Sequence, residues 1–216
     1  MDPQLEDYIE SHISPEPAYL RDIDRATNLR RLNGRMCSGH IQGRLLKMLT
    51  MMAAPRHVVE LGTFTGYSSL CIAEGLEGDA CVDTIEVDDE LEEEILANIA
   101  KSPAGERVRL HIGDALEVLK SFPDDYFDMA VVDADKRQYP QYFEVLRRKV
   151  RHGGFILADN TLWDGHVVEM GRHSPQTQGI IEFNDLVAST EGVETAIIPL
   201  RDGLTLLRLS KREKTL

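Results

Sequence analysis

The sequence predicts an α/β fold: seven strands, mostly parallel, an antiparallel last strand, helices on both faces and extra N-terminal helices. Three observations predict it. From His57 to Ala158, short apolar runs alternate with segments of helical spacing, the pattern of a parallel sheet covered on both faces. In the tail two apolar runs flank Arg201-Asp202-Gly203, and an Asp-Gly in so short a loop makes a hairpin. Polar residues gather where the apolar runs stop, and in an open α/β sheet that carboxyl end of the strands holds the ligands.

Taken in order, the stretch through about Ala54 is helical in pattern. Ser14, followed by Pro15 and Pro17, offers a helix start, and Gly34 a stop near Leu32. Ile41, Leu45, Leu46 and Leu49 recur at helical spacing and predict a second helix. After Pro55 the period changes. Strands are expected over 57–61, 81–87, 108–112, 127–132 and 155–158, with helices over 67–73, 89–100, 116–122 and 142–150 between them. A helix over 178–189 then precedes the hairpin strands 193–198 and 204–209. No repeat, low-complexity tract or linker interrupts the chain. One domain over 1–216 is expected, with 1–54 as an N-terminal helical cap and 55–216 as the α/β core.

A chain of 216 residues buries a core large enough to need no staples. No apolar stretch approaches the roughly 18 residues of a membrane span, and residues 1–10 are acidic with no apolar signal region. Cys37, Cys71 and Cys81 are odd in number and fit no metal-ligand spacing, which suits a reducing cytoplasm. Cys71 and Cys81 stand among apolar residues and are expected as small buried hydrophobes. The net charge of −13 argues against general binding to nucleic acid or anionic membrane. Arg21, Arg25, Arg30, Arg31 and Arg35 are the local exception. They form either a solvated helix face paired with Asp22 and Asp24 or a basic patch that meets an anionic part of the substrate.

The first strand leads into Glu60-Leu61-Gly62-Thr63-Phe64-Thr65-Gly66, where two glycines permit a tight turn and close approach of a ligand. The three-glycine dinucleotide pattern is missing, which weakens a nicotinamide reading. Thr65, Tyr67 and Ser68 bring hydroxyls and N–H groups to a helix start, suited to a small carboxylate. Glu86, at the end of the second strand, is placed to accept hydrogen bonds from ribose hydroxyls, or else caps the next helix. Asp114 closes the third strand and either takes an adenine amino group or serves as an ordinary helix cap.

Val131-Val132-Asp133-Ala134-Asp135-Lys136 and Leu157-Ala158-Asp159-Asn160 end two further strands. Asp133, Asp159 and Asn160 supply two carboxylates and a carbonyl, oxygen ligands that suit a hard divalent cation such as Mg²⁺. Lys136 lies just beyond the first carboxylate, in reach to act as a base beside the metal, or else is a surface lysine paired with Asp133 or Asp135.

Together these residues resemble the class I S-adenosylmethionine-dependent O-methyltransferases, and within them the cation-dependent group of catechol and caffeoyl-CoA O-methyltransferases. The resemblance is carried by Glu60 through Ser68, Ile85-Glu86, Gly113-Asp114-Ala115, Asp133-Ala134-Asp135-Lys136 with Tyr139, and Asp159-Asn160-Thr161-Leu162-Trp163. It implies a Rossmann-like seven-stranded sheet and S-adenosyl-L-methionine as cofactor. It also implies roles for residues. Glu86 matches the ribose carboxylate, Gly62 and Ser68 the contacts to the methionine part, and Ser38, Glu60 and Ala115 further cofactor positions. Asp135 and Tyr142 match flanking cofactor contacts. Asp133, Asp159 and Asn160 match the metal ligands and Lys136 the base, with Asp133 serving metal and substrate. Mg²⁺ is the expected cation, with Ca²⁺ or Mn²⁺ as alternatives.

The implied reaction moves a methyl group from a sulfonium to a hydroxyl oxygen of a small phenolic substrate, and vicinal oxygens that chelate the cation favour a catechol-like acceptor. Lys136 must be neutral to take the proton, and the metal charge with partial desolvation is expected to lower its pKa. Trp163 either covers the aromatic substrate or packs in the core. Asp164-Gly165-His166 and the arginine-rich leader depart from the plant enzymes' coenzyme A ester-holding segments, so Asp164, His166 and His173 fall in a substrate loop of open specificity. The alternatives are methylation of 5-hydroxyuridine in tRNA, a nicotinamide-dependent oxidoreductase and a non-catalytic adenosyl-binding module. A cytoplasmic homodimer is expected.

Overall fold

A computed structural model describes residues 2–210 of the chain; Met1 and 211–216 of the expected domain lie outside the described residues. In chain order the elements are α1 Pro3–His12, α2 Ala18–Arg30, α3 Gly39–Ala53, β1 His57–Leu61, α4 Tyr67–Gly75, β2 Cys81–Glu86, α5 Glu92–Ile99 and β3 Val108–Ile112. There follow α6 Ala115–Leu119, β4 Phe127–Val132, α7 Tyr139–Lys149, β5 Val150–Asp159, α8 Pro175–Ser189, β6 Val193–Ile198 and β7 Leu204–Leu209. The fold is α/β with a seven-stranded, mostly parallel sheet and an antiparallel last strand, as the sequence predicts. Two compact units divide the chain, one of residues 1–56 and 63–113, the other of 57–62 and 114–216.

In the first unit β2 and β3 pair in parallel, from Val82 opposite Val108 to Glu86 opposite Ile112. Its core joins Leu20 and Ile23 of α2, Tyr67, Leu70 and Cys71 of α4, and Ile95 and Ile99 of α5. Cys37, Cys71 and Cys81 are all buried thiols outside any disulfide, as small buried residues were expected at two of them. α2 begins at Ala18, after Pro17, because the residue before a proline resists helical backbone. α1 is a separate helix that the pattern did not distinguish, since none of its residues is buried. Arg31 of the arginine-rich leader pairs with Glu94 of α5, while Asp24 accepts from Asn28.

In the second unit the strand order is β1-β4-β5-β7-β6. β1, β4 and β5 are parallel and β7 runs antiparallel to both β5 and β6, the hairpin turning at Arg201-Asp202-Gly203. β5 starts at Val150 rather than 155, because Val150 already pairs with Phe127 across an irregularity in the register. α7 and α8 begin earlier than expected, at Tyr139 and Pro175. Each carries a proline in its first turn, where the missing N–H has no intrahelical partner to lose. Ser174 caps α8 by accepting from the Thr177 N–H. Tyr139 and Phe143 of α7 both meet Phe183 of α8 edge-on, at 5.5 and 6.2 Å between ring centres. No helix of the described residues is long and apolar enough to cross a membrane.

Candidate active site

In the second unit the register that places Val132 beside Ala158 makes the next residues, Asp133 and Asp159, neighbours at adjacent strand tips. Parallel strands lie about 4.8 Å apart, so two carboxylates there are within reach of one ion. β1 ends against the same tip. The Asp133 N–H donates to Leu61 O at 2.8 Å, and Gly62 follows at φ 95°. An added Cβ on Gly62 would run into the Asp133 carbonyl oxygen, so this close approach requires glycine.

Lys136 sits on the 3₁₀ turn after β4, buried, with Nζ donating to Asp133 Oδ1 at 2.5 Å and to Tyr139 OH at 2.9 Å. α8 clamps that turn: a Cβ on Gly179 would lie 2.9 Å from Arg137 Cα and collide with the Lys136 carbonyl. Burial pulls the Lys136 ammonium down, but Asp133 and then Tyr139 raise it further, leaving it above the ordinary lysine range. The expected depression of this pKa therefore does not come from the protein alone; the ion pair with Asp133 outweighs desolvation. Tyr139 itself is fully buried, and that burial pushes its phenol up.

Asp159 is buried, and its Oδ1 accepts from the Asn160 N–H at 2.8 Å. Asn160 has φ 59°, and Trp163 and Asp164 follow at 47° and 52°. Three non-glycine residues in the left-handed region within five positions cost roughly 1–3 kcal/mol each and persist only where surroundings hold them. Here the hairpin turn holds them: Thr161 N–H donates to Gly203 O at 3.1 Å and Leu162 N–H to Asp202 O at 2.7 Å. Asn184 of α8 donates to Thr161 O at 2.8 Å, and Thr205 to the Thr161 hydroxyl at 2.7 Å. Trp163 is half-buried and Asp164 exposed on this strained loop, where His166 pairs with Glu169 at 2.9 Å.

The donor chemistry fits a hard cation. Among the described residues no group of three His, Cys, Asp or Glu is placed to hold a metal. Two carboxylates and one amide carbonyl are all-oxygen donors, the set suited to Mg²⁺, Ca²⁺ or Mn²⁺. Asp133 with its Lys136 partner and Asp159 thus end neighbouring strands of this unit, and Asn160 directly follows Asp159.

The remaining expected residues of the second unit divide by environment. Glu60 is buried on β1 beside Val131, and Ala115 opens α6. Asp114 caps α6, accepting from Glu117 N–H at 3.1 Å through Oδ1. Asp135 is gripped by Nε and Nη2 of the Arg137 guanidinium, at 2.9 and 2.6 Å, a fork that holds its carboxyl below the ordinary range. The Tyr142 phenol is pushed up to about 12 by burial.

In the first unit, Glu86 is buried and fully oriented. Oε1 accepts from Val87 N–H at 2.9 Å and Asp88 N–H at 3.0 Å, and Oε2 from Phe64 N–H at 2.7 Å. An ionised carboxylate offers about four lone-pair sites. Three are used, which leaves one, on Oε2. The turn itself is braced by Thr63 and Ser69, whose hydroxyls meet Thr84 at 2.6 and 3.2 Å, and by Asn98 donating to Thr65 O at 3.0 Å. Ser68 is half-buried in the first turn of α4, and Ser38 is buried at the start of α3.

Sequence reasoning missed two features of the site: the Arg137 fork on Asp135, and the bonds of the Tyr139 hydroxyl. The three-residue spacing of Lys136 and Tyr139 carries a signal, since residues so spaced share one side of a helical turn.

Comparison with known proteins yields three kinds of match. The protein-family model described as O-methyltransferase matches residues 10–210. A caffeoyl-CoA O-methyltransferase of Stellaria longipes is 30% identical over 217 residues, 95% of this chain and 90% of its own. A catechol O-methyltransferase of Niastella koreensis is 30% identical over 162 residues, 74% of this chain and 73% of its own. Among solved structures, the O-methyltransferase TomG of Streptomyces achromogenes, in complex with SAM, matches with a TM-score of 0.88. That likeness covers 96% of each chain at 28% identity.

Proposed function

We propose a function from one premise: the chain belongs to the O-methyltransferase family and is an S-adenosylmethionine-dependent enzyme. The proposal is that it methylates one hydroxyl of a small catechol-like acceptor with the help of a divalent cation. The observation that carries it is the pair of carboxylates on the adjacent tips of β4 and β5, with buried Lys136 bonded to the first.

Asp133, Asp159 and Asn160 would hold the cation, which when bound supplies the charge that favours ionisation of a hydroxyl. A phenol has a pKa of about 10 and is mostly protonated at neutral pH, so a base is needed. Lys136 is that base. Its ammonium is kept charged by Asp133, and when that carboxylate is engaged elsewhere, burial favours the neutral amine. The amine then takes the acceptor's proton at Nζ. Trp163 and Asp164, on the strained loop, would bound the acceptor and hold its oxygen in line for the methyl group of the sulfonium.

For the cofactor, Glu86 would give its remaining Oε2 site to a ribose hydroxyl, and Asp114 its uncapped oxygen to the adenine amino group. Gly62 and Ser68 would meet the methionine part, and Ser38, Glu60, Ala115, Asp133, Asp135 and Tyr142 complete the set. Methyltransferase domain limits of 1–216 belong to the same proposal, supported by a family model that spans 10–210. So do a homodimer and a cytoplasmic location. Met48, Met51 and Met52 stand exposed at helical spacing on α3, the kind of apolar surface a second copy covers.

The test is methyl transfer from labelled S-adenosylmethionine to acceptors with vicinal or isolated hydroxyls, with Mg²⁺ or with EDTA. Transfer to the vicinal acceptor, abolished by EDTA and restored by Mg²⁺, is expected. Full activity in chelator removes the cation from the proposal, and equal transfer to both acceptors removes the catechol preference.

A further inference from the structure

Tyr139 has no part in the proposed reaction, yet its hydroxyl has three hydrogen-bond partners, Lys136 among them. The ring is fully buried, packed edge-on to Phe183 at 5.5 Å. The oxygen lies 2.9 Å from Lys136 Nζ, 2.9 Å from the Asp159 carbonyl oxygen and 3.2 Å from the Val132 carbonyl oxygen. Lys136 carries only donors, so it donates, and the phenol's own proton goes to one of the two carbonyls. Those carbonyls are the ends of β5 and β4. One belongs to Asp159 and the other to the residue before Asp133.

We infer that Tyr139 is a positioning residue, whose single oxygen ties both carboxylate-bearing strand tips to Lys136 and so fixes the cation-binding geometry and the reach of Nζ. Packing does not ask for that oxygen. Phenylalanine would fill the same space against Phe183 and Tyr142, and a buried hydroxyl gains nothing over it unless its bonds are made. Here they are made to the backbone of two strands and to the candidate base. Groups that orient metal ligands without touching the metal commonly affect affinity and rate by tenfold or more. The inference rests on the proposed cation site, and adds that its geometry depends on a residue that touches neither cation nor acceptor.

The experiment measures Mn²⁺ binding by calorimetry in the wild type, Tyr139→Phe and Phe183→Leu, beside melting temperature and steady-state kinetics. Tyr139→Phe keeps the ring and is expected to fold, to bind Mn²⁺ about tenfold more weakly, and to lose kcat with the KM for S-adenosylmethionine unchanged. Phe183→Leu disturbs the packing around the same ring without touching its oxygen, and is expected to melt earlier while keeping its Mn²⁺ affinity. Unchanged Mn²⁺ affinity in Tyr139→Phe, or an equal loss in Phe183→Leu, overturns the tether while the cation site stands. Absence of Mn²⁺ binding in the wild type overturns the cation reading itself and the tether with it.

Discussion

Lys136 is a buried ammonium held charged by one carboxylate and one phenol, and its proposed role as a base depends on losing the carboxylate. Lys136→Ala should lower single-turnover methyl transfer by a hundredfold or so, the scale of general-base catalysis, while Mn²⁺ binding survives. An unchanged single-turnover rate would take the lysine out of the mechanism. Gly62→Ala should cost about 2 kcal/mol or more in urea denaturation, since it forces a left-handed backbone and a collision with Asp133. The three thiols are a separate check. Burial raises all of them, Cys71 to about 12, so none should react with a thiol reagent at pH 8 until the protein is unfolded. Rapid modification of a native thiol would contradict that burial. At this scale the acidic strand ends were legible because an apolar run that stops at Asp or Glu marks a strand's carboxyl end. The Arg137 fork and the Tyr139 bonds were not, because each depends on where a flexible side chain turns after the backbone is set.

Helices α2, α3 and α4 meet through one polar knot. Tyr19 of α2 donates to Glu74 of α4, and Arg44 and Lys47 of α3 approach the same carboxylate at 3.0 Å each. Burial pushes Glu74 up, but the Tyr19 hydrogen bond and the two cations pull it down more, leaving it below the ordinary glutamate range. A carboxylate depressed in the folded state stabilises above its unfolded pKa, about 4.3, and that contribution fades as pH falls through the lower folded value. Glu74→Gln leaves Arg44 buried without its countercharge and should cost about 3 kcal/mol at pH 7. The gap from wild type should close as pH drops from about 5 toward 3; a gap constant over that range would show that Glu74 is not depressed. The helices themselves followed from apolar spacing, but this knot did not, since its members lie up to 55 residues apart. Helices α7 and α8 start three residues before the expected 142 and 178, and each has a proline in its first turn, a position compatible with a helix.

Across the whole molecule, the acidic balance of −13 sets the expectation for partners. Exposed Arg21, Arg25, Arg30 and Arg35 form the one local contrast that would favour tRNA. A mobility-shift titration with total tRNA at physiological salt should show no complex, because phosphate binding needs clustered cations against a net charge that does not repel it. A stable complex would instead favour the hydroxyuridine reading. Fold class and chain order were legible throughout, since alternation of period and a single Asp-Gly hairpin leave few topologies open. The acceptor was not legible, because the short strained loop proposed to bound it takes its shape from the hairpin beside it, far along the chain. The central claim, that two strand tips and one amide converge on a cation, is tested most directly by crystals grown with Mn²⁺ and S-adenosylhomocysteine. An anomalous peak about 2.1–2.4 Å from oxygens of Asp133, Asp159 and Asn160 is the predicted result. No peak there, or one bound by other residues, would contradict the account.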